Sequence, residues 1–301
     1  MKIVEKKPGH DEKLAKLKVQ MSNPLSLCWQ VTKKCNYHCP FCLSGEQDPN
    51  ELPLEKMLEI VDILKENNLV RIDFTGGEPL LRPDFLDILR YASESGIETL
   101  VTSNGSQYSD KIAQTLLDTN TLLLISLDGN KETHDKSRGD GAYDRAVESI
   151  KRYKAAGVPL RVNYLVRRDN LDQIDYIYDL VKELGVERLF YILIAPQGKA
   201  YNNDDLLLSD EEREHYLEIL REKKKASGDS PFITIQDYAV NLHSCFLINS
   251  RGDIVSQGYS EDDCIITGNI FKEGLIKCWN HPAFNHRGHF LQYAYMFDYI
   301  M

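Results

Sequence analysis

From Leu25 onward, short apolar runs alternate with amphipathic stretches. The runs are LSLCWQVT (25–32), VRIDFT (70–75), ETLVTS (98–103), TLLLISL (121–127), LRVNYLV (160–166) and RLFYILI (188–194). Between them, Leu54, Met57, Leu58, Val61 and Leu64 share one face at helical spacing, and AYDRAVESIKRYKAAG (142–157) ends in a glycine cap signal. Six strands alternating with helices predict a parallel sheet with right-handed crossovers, and near-continuous apolar strands suit a sheet covered by helices. Six units fall short of the eight in a closed barrel. The pattern therefore predicts an α/β fold, an open partial (β/α)6 barrel with its functional loops at the carboxyl ends of the strands.

After Ala195 the rhythm changes. APQGKAYNNDDLLL reads as a loop, and SDEEREHYLEILREKKKAS (209–227) reads as a helix with Ser209 as N-cap. From Phe232 come three short strand-like pieces, FITIQ, CFLIN and DIVSQ, with the turn SRGD between the last two. The expected organisation is an N-terminal extension (1–20), a partial barrel (21–228) and a small C-terminal α+β domain (229–301).

Composition narrows the class. With 301 residues, 42% of them hydrophobic, the chain can bury a sizeable core. The 36 Lys and Arg against 46 Asp and Glu give a net charge of −10, which argues against a general nucleic-acid binder and for a discrete pocket. The longest apolar run is too short to span a bilayer, and the charged start MKIVEKKPGHDEKLAKLK lacks a signal-peptide core. A cytoplasmic location is expected. There, cysteines are reduced, so a cysteine cluster points to metal ligation or catalysis rather than to disulfides.

CNYHCPFC sets Cys35, Cys39 and Cys42 directly after the first strand. Three thiolates can hold three irons of a 4Fe-4S cube and leave the fourth iron for a non-protein ligand. Zinc also binds thiolates, although a structural zinc site is normally closed by four ligands and His38 sits inside the loop. The second strand ends in TGGEP (75–79). Gly76 and Gly77 allow close backbone approach and Glu78 is presented at the strand's carboxyl end, though two adjacent glycines also suit a plain tight turn.

Together these motifs resemble the radical S-adenosylmethionine (radical SAM) enzymes. CNYHCPFC is similar to that family's CxxxCxxC loop, with the aromatic Phe41 before the last cysteine, and TGGEP is similar to its GGEP motif. The resemblance runs from about Pro24 to Pro196. It implies that Cys35, Cys39 and Cys42 ligate a 4Fe-4S cluster whose open iron takes the amino and carboxylate groups of SAM. It also implies that Glu78 with Gly77 receives the SAM amino group, that Gly76 belongs to the same cofactor site, and that Phe41 lies against the adenine. Ser103 and Asn104 end the third strand, and Ser126 and Asp128 end the fourth, where the family places methionine and ribose contacts. Arg138, in HDKSRG, would pair with the SAM carboxylate. The implied reaction is reductive cleavage of SAM to methionine and a 5′-deoxyadenosyl radical that abstracts hydrogen from an unactivated C–H bond. A flavodoxin or ferredoxin would supply the electron.

Many members of the family carry a C-terminal SPASM or twitch domain with auxiliary clusters. CFLINSRGDIVSQ, TGNIFKEGLIKCW and HPAFNHR resemble parts of one, but Gln257 stands where a cysteine is typical. Cys245, Cys264 and Cys278 could hold a second iron–sulfur cluster. Alternatively they are structural thiols, with Cys245 a catalytic hydrogen donor; Cys28 and Cys278 read as core residues. One cluster favours redox-neutral epimerisation or rearrangement of a small biosynthetic intermediate, sugar-like or a short peptide. A second cluster favours an oxidative maturase that dehydrogenates or crosslinks. A non-catalytic metal-binding or sensor protein is the reading from another class. The extension 1–20 is smaller than a leader-binding domain, and the acidic loop YNNDDLLL (201–208) could face a cationic substrate.

Overall fold

The six apolar runs become six parallel strands, and the chain adds four more to the same sheet. A computed structural model describes residues 21–43, 48, 50–201, 203–228, 230–237, 245–257, 264–286 and 289. The expected extension (1–20), His243, Ser244 and the closing segment 290–301 lie outside the described residues. The strands are β1 (Ser26–Thr32), β2 (Arg71–Gly76), β3 (Glu98–Ser103), β4 (Leu122–Ser126), β5 (Leu160–Val166), β6 (Arg188–Leu193), β7 (Phe232–Asp237), β8 (Phe246–Ile248), β9 (Asp253–Ser256) and β10 (Ile265–Asn269). Their order is β10-β9-β8-β1-β2-β3-β4-β5-β6-β7, so the sheet is an open partial barrel and not a closed one. From β8 through β7 all neighbours are parallel, while β9 and β10 run antiparallel at one edge.

Helices α1 (Leu54–Glu66), α2 (Phe85–Glu94), α3 (Asp110–Asp118), α4 (Lys131–Arg138), α5 (Ala142–Ala156), α6 (Ile174–Glu183) and α7 (Asp210–Ala226) follow the strands in turn, and α8 (Leu275–Trp279) follows β10. Side chains alternate between the two faces of each strand. Leu27, Trp29 and Val31 of β1 join Met57, Ile60, Val61 and Leu64 of α1 in the hydrophobic core. Cys28 and Gln30 therefore face the barrel interior. On the same inner face Thr102 donates to Asp73 at 3.0 Å and Arg161 donates to Asn163 at 2.9 Å. The helix-facing side is apolar, and the interior mixes these polar groups with Leu124 and Phe190.

Two pairings bear on the division expected at residue 228. β7 pairs with β6 over six residues, from Arg188 opposite Phe232 to Leu193 opposite Asp237, and β8 pairs with β1. Strands from both sides of residue 228 thus share one sheet. The helix between them starts as its sequence indicates: Ser209 Oγ accepts from Glu212 N–H while Glu212 accepts from Ser209 N–H, a capping box.

Candidate active site

The cysteine loop leaves β1 held from several sides. Glu51 accepts from Thr32 Oγ1 at 2.8 Å and from Lys33 N–H at 2.6 Å, and Arg82 donates to Val31 O and Leu52 O, both at 2.8 Å. The turn after β2 is joined to this loop by backbone. Gly77 N–H donates to Thr32 O at 2.7 Å, and Glu78 N–H donates to Lys34 O at 2.8 Å. A Cβ on Gly76 would lie 2.2 Å from Thr32 O, and one on Gly77 would lie 2.1 Å from Lys34 O. No side chain fits at either position, so the glycines are what let the two motifs touch.

Glu78 follows this contact and is fully buried. Its carboxylate accepts from Asn104 N–H at 2.6 Å, Ser103 Oγ at 3.0 Å and Leu80 N–H at 3.1 Å. Burial pushes its carboxyl up to about 7 despite those donors and the charge of Arg138, and among the described residues no cation forms an ion pair with it. Asn104 Nδ2 also reaches Asn36 Oδ1 at 2.9 Å and lies 3.7 Å from Cys35 Sγ. Glu78, Ser103, Asn104 and Cys35 form one connected group.

Cys35, Cys39 and Cys42 are all half-buried. Burial raises the thiols of Cys35 and Cys39; Cys35 also feels Glu78 and Cys42, and Cys39 feels Cys42 and Cys35. A bound metal would instead deprotonate them. Among the described residues no three His, Cys, Asp or Glu side chains converge on a single ion. A cube spreads its three thiolates over three irons and needs no such convergence. Lys199 N–H donates to Cys42 O at 3.1 Å, tying the loop to the segment after β6.

A second buried group lies at the ends of β4 and β5. Asp128 Oδ2 accepts from Arg138 Nε at 2.6 Å and lies 3.4 Å from Arg167 Nη1. Burial alone would raise its carboxyl, but Arg138 and Arg167 outweigh that and hold it well below the usual range. His134 Nδ1 accepts from Asp128 N–H at 3.0 Å, and burial pushes its imidazole down to about 4. Phe41, in the cysteine loop, packs against both arginines, 4.5 Å from Arg167 and 5.6 Å from Arg138. Asp128 Oδ1 and both Arg167 Nη atoms are buried without a hydrogen-bond partner among the described residues.

These groups pass a test of fit to a cluster and SAM. The cysteine loop offers three thiols, Glu78 is an unpaired buried anion suited to an ammonium, and the Arg167 donors are suited to a carboxylate. Asp128 is engaged with arginines, and Arg138 with Asp128. Ser126 stands at the inner face of β4, opposite Asn163. Arg167 and His134 were not anticipated. Arg167 is the first of two adjacent arginines directly after a buried strand, and no spacing rule distinguishes it from the exposed Arg168; His134 sits in a segment singled out only for Arg138.

The C-terminal cysteines separate. Cys278 is buried in the core, where its sulfur would lie 2.7 Å from a Cβ on Gly268. Cys245 is half-buried and near enough to Cys28 to help raise that thiol. Cys28, read from sequence as core, lies on the inner face instead, because Leu27 and Trp29 take the helix-facing side of β1.

The description "Radical SAM superfamily" matches residues 29–181, half of the chain. The protein belongs to that superfamily and is a radical SAM enzyme. It is 26% identical over 297 residues to an AdoMet-dependent heme synthase of Methanosarcina barkeri, covering 87% of this chain and 84% of that one. It is 29% identical over 277 residues to the mycofactocin maturase MftC of Mycolicibacterium smegmatis, covering 86% and 70%. Its fold is similar to that of Streptococcus suis SuiB bound to S-adenosylmethionine, with TM-score 0.72, 19% identity, and coverage of 91% of this chain and 70% of that chain. It is likewise similar to anSMEcpe with bound AdoMet and a peptide, with TM-score 0.71, 18% identity, and coverage of 88% and 82%. At these identities the solved structures establish the fold alone.

Proposed function

We propose that the protein carries one 4Fe-4S cluster on Cys35, Cys39 and Cys42, binds SAM beside it, and alters a C–H bond in a small biosynthetic intermediate or short peptide without net oxidation. The observation that carries this is the joining of the GGEP turn to the cysteine loop, which sets an unpaired, buried Glu78 beside Cys35. When bound, the cluster and SAM supply the carbon radical that takes a hydrogen atom from the substrate. The chain's own part is to bind, orient and exclude water. Glu78 and the backbone at Gly76 and Gly77 hold the SAM ammonium, Arg167 and Arg138 face its carboxylate, and Phe41 supports the adenine.

The polar inner face, with Asp73, Thr102, Arg161 and Asn163, suits a substrate rich in hydrogen-bonding groups. SuiB has been solved with the precursor peptide SuiA, and anSMEcpe with a Cp18Cys peptide, which favours the peptide half of this class. Cys245 is the hydrogen donor in this reading. A second cluster on Cys245, Cys264 and Cys278, and with it an oxidative reaction, is less well supported, because Cys278 packs in the core and Cys245 lies near Cys28. Lys136, Arg138 and Arg145, with Asn36, Tyr37 and His38 of the cysteine loop, line a cleft of about 570 Å³, a surface suited to an acidic electron carrier such as flavodoxin or ferredoxin.

The test is iron and sulfide per chain after anaerobic reconstitution, beside a variant lacking Cys35, Cys39 and Cys42. About four irons, lost in the variant, together with 5′-deoxyadenosine release on reduction with SAM, are expected. About eight irons, with half retained by the variant, would instead establish the two-cluster oxidative enzyme.

A further inference from the structure

The inner face of the sheet carries an arginine whose setting points to a ligand. Arg161 of β5 is buried, and the register places it in one row with Leu124 of β4 and Thr102 of β3. Asn163, Phe190 and Thr234 form the next row, along β5, β6 and β7. The guanidinium lies over the Phe190 ring at 4.4 Å, and Asn163 Oδ1 accepts from its Nε at 2.9 Å. An aromatic face and a carboxamide fix its plane without neutralising its charge. Asp73, on the same face, accepts from Thr102 at 3.0 Å and forms no ion pair among the described residues. Burial raises the Asp73 carboxyl, and Arg161 lowers it through space. Thr234 Oγ1 is buried without a hydrogen-bond partner among the described residues. A buried hydroxyl is normally satisfied, so this one marks a place for a ligand or water oxygen. Thr102 immediately precedes Ser103, which donates to Glu78 at 3.0 Å, so the Arg161 row lies one residue below the rim where SAM is proposed to bind.

We infer that Arg161, its plane set by Asn163 and Phe190, is a specificity-determining residue that binds a carboxylate inside the barrel, so that the substrate enters with a carboxylate-bearing end. A guanidinium presents paired N–H groups that match the two oxygens of a carboxylate, and burial strengthens such a charge-assisted pair. Asn163 takes one of the five N–H donors and restrains the fork to one plane, which an ammonium on a flexible stem does not reproduce. The other members of the row, Leu124 and Thr102, are neutral, which suits a single negative charge better than a phosphate dianion. Asp73 offsets part of the buried charge through space, so the site is tolerated before a ligand arrives. Identifying the bound anion with the substrate rests on the proposed function; the carboxylate site itself does not.

The experiment titrates benzoate and its neutral twin benzamide against the anaerobically reconstituted full chain with SAM present, and reads each dissociation constant by ligand-detected NMR. In the wild type benzoate should bind about 10- to 100-fold more tightly than benzamide. Arg161→Gln should abolish that preference, and Arg161→Lys, which keeps the charge without the fork, should recover only part of it. Asn163→Ala keeps the arginine and releases its plane, so a loss of about three- to tenfold in benzoate affinity, with benzamide unchanged, is expected. Equal binding of the two probes by the wild type, or a benzoate preference that survives Arg161→Gln, overturns the inference. If Arg161→Gln does not fold, unchanged benzoate affinity in Asn163→Ala overturns it instead. Release of 5′-deoxyadenosine by the wild type on reduction reports separately on the proposed function. Its absence, with the Arg161-dependent preference intact, would sink that function and leave the carboxylate site standing.

Discussion

Two carboxylates at the rim, Glu78 after β2 and Asp128 after β4, are both fully buried and have opposite surroundings. Glu78 is met by two backbone N–H groups and a hydroxyl, feels Arg138 only through space and makes no ion pair among the described residues, and burial drives its carboxyl up to about 7. Asp128 is flanked by Arg138 and Arg167, and their charge overcomes burial to keep it ionised. A buried anion with its counter-ions in place is an anchor. One with hydrogen-bond donors but no counter-ion is a receptor, because a ligand cation supplies what the fold withholds.

The sharpest way to break this contrast is Asp128→Asn. It leaves Arg138 and the fully buried Arg167 without the charge between them, with Asp169 at 2.8 Å the remaining partner of Arg167. Loss of one member of a buried pair costs about 3–5 kcal/mol, so a drop of that size in denaturant unfolding free energy at neutral pH is expected. The carboxylate's contribution is present above its ordinary range and fades on acidification, so wild type and variant should converge as the pH falls below about 4. A variant as stable as wild type at pH 7 would refute the anchor.

Glu78 has the opposite sign. Its carboxyl is raised from 4.5 to about 7, so the folded state binds the extra proton between those values. Stability is therefore highest where the group is protonated in both states and falls as pH rises through that window, by roughly 3 kcal/mol. Glu78→Gln should remove this slope and gain on wild type as the pH rises from 5 to 8, measured without SAM. The same variant should bind SAM about 10- to 100-fold more weakly in equilibrium titration of reconstituted enzyme, since it has lost a charge-assisted hydrogen bond. Unchanged SAM affinity would deny Glu78 its receptor role.

Sequence exposed the first of these regions better than the second. The glycines of TGGEP mark a close approach, and the structure places Thr32 O and Lys34 O where their side chains would have been. The strands β1 to β6 were legible because an unbroken apolar run of strand length between amphipathic helices has few other solutions. Partners of short strands were not. FITIQ and CFLIN read as pieces of an appendage, yet β7 and β8 pair with β6 and β1, because pairing is decided by tertiary packing that six residues do not encode. Arg167, His134 and the nearness of Cys28 to Cys245 were hidden for the same reason. Each depends on residues brought together from distant positions, without a spacing to announce it.

The smallest effect concerns a side chain that links the cysteine loop to the second region. Phe41 is buried against the guanidinium groups of Arg167 and Arg138, so part of the positive charge around Asp128 is shared with an aromatic face. Phe41→Leu keeps an apolar group of similar volume and removes the ring. A loss of about 1–2 kcal/mol in unfolding free energy is expected. A double-mutant cycle with Arg167→Met isolates the ring–guanidinium part of that loss, where a coupling of about 0.5–1 kcal/mol is expected. Zero coupling would mean that the loop touches the arginines by packing alone, and that the charge around Asp128 is balanced without it.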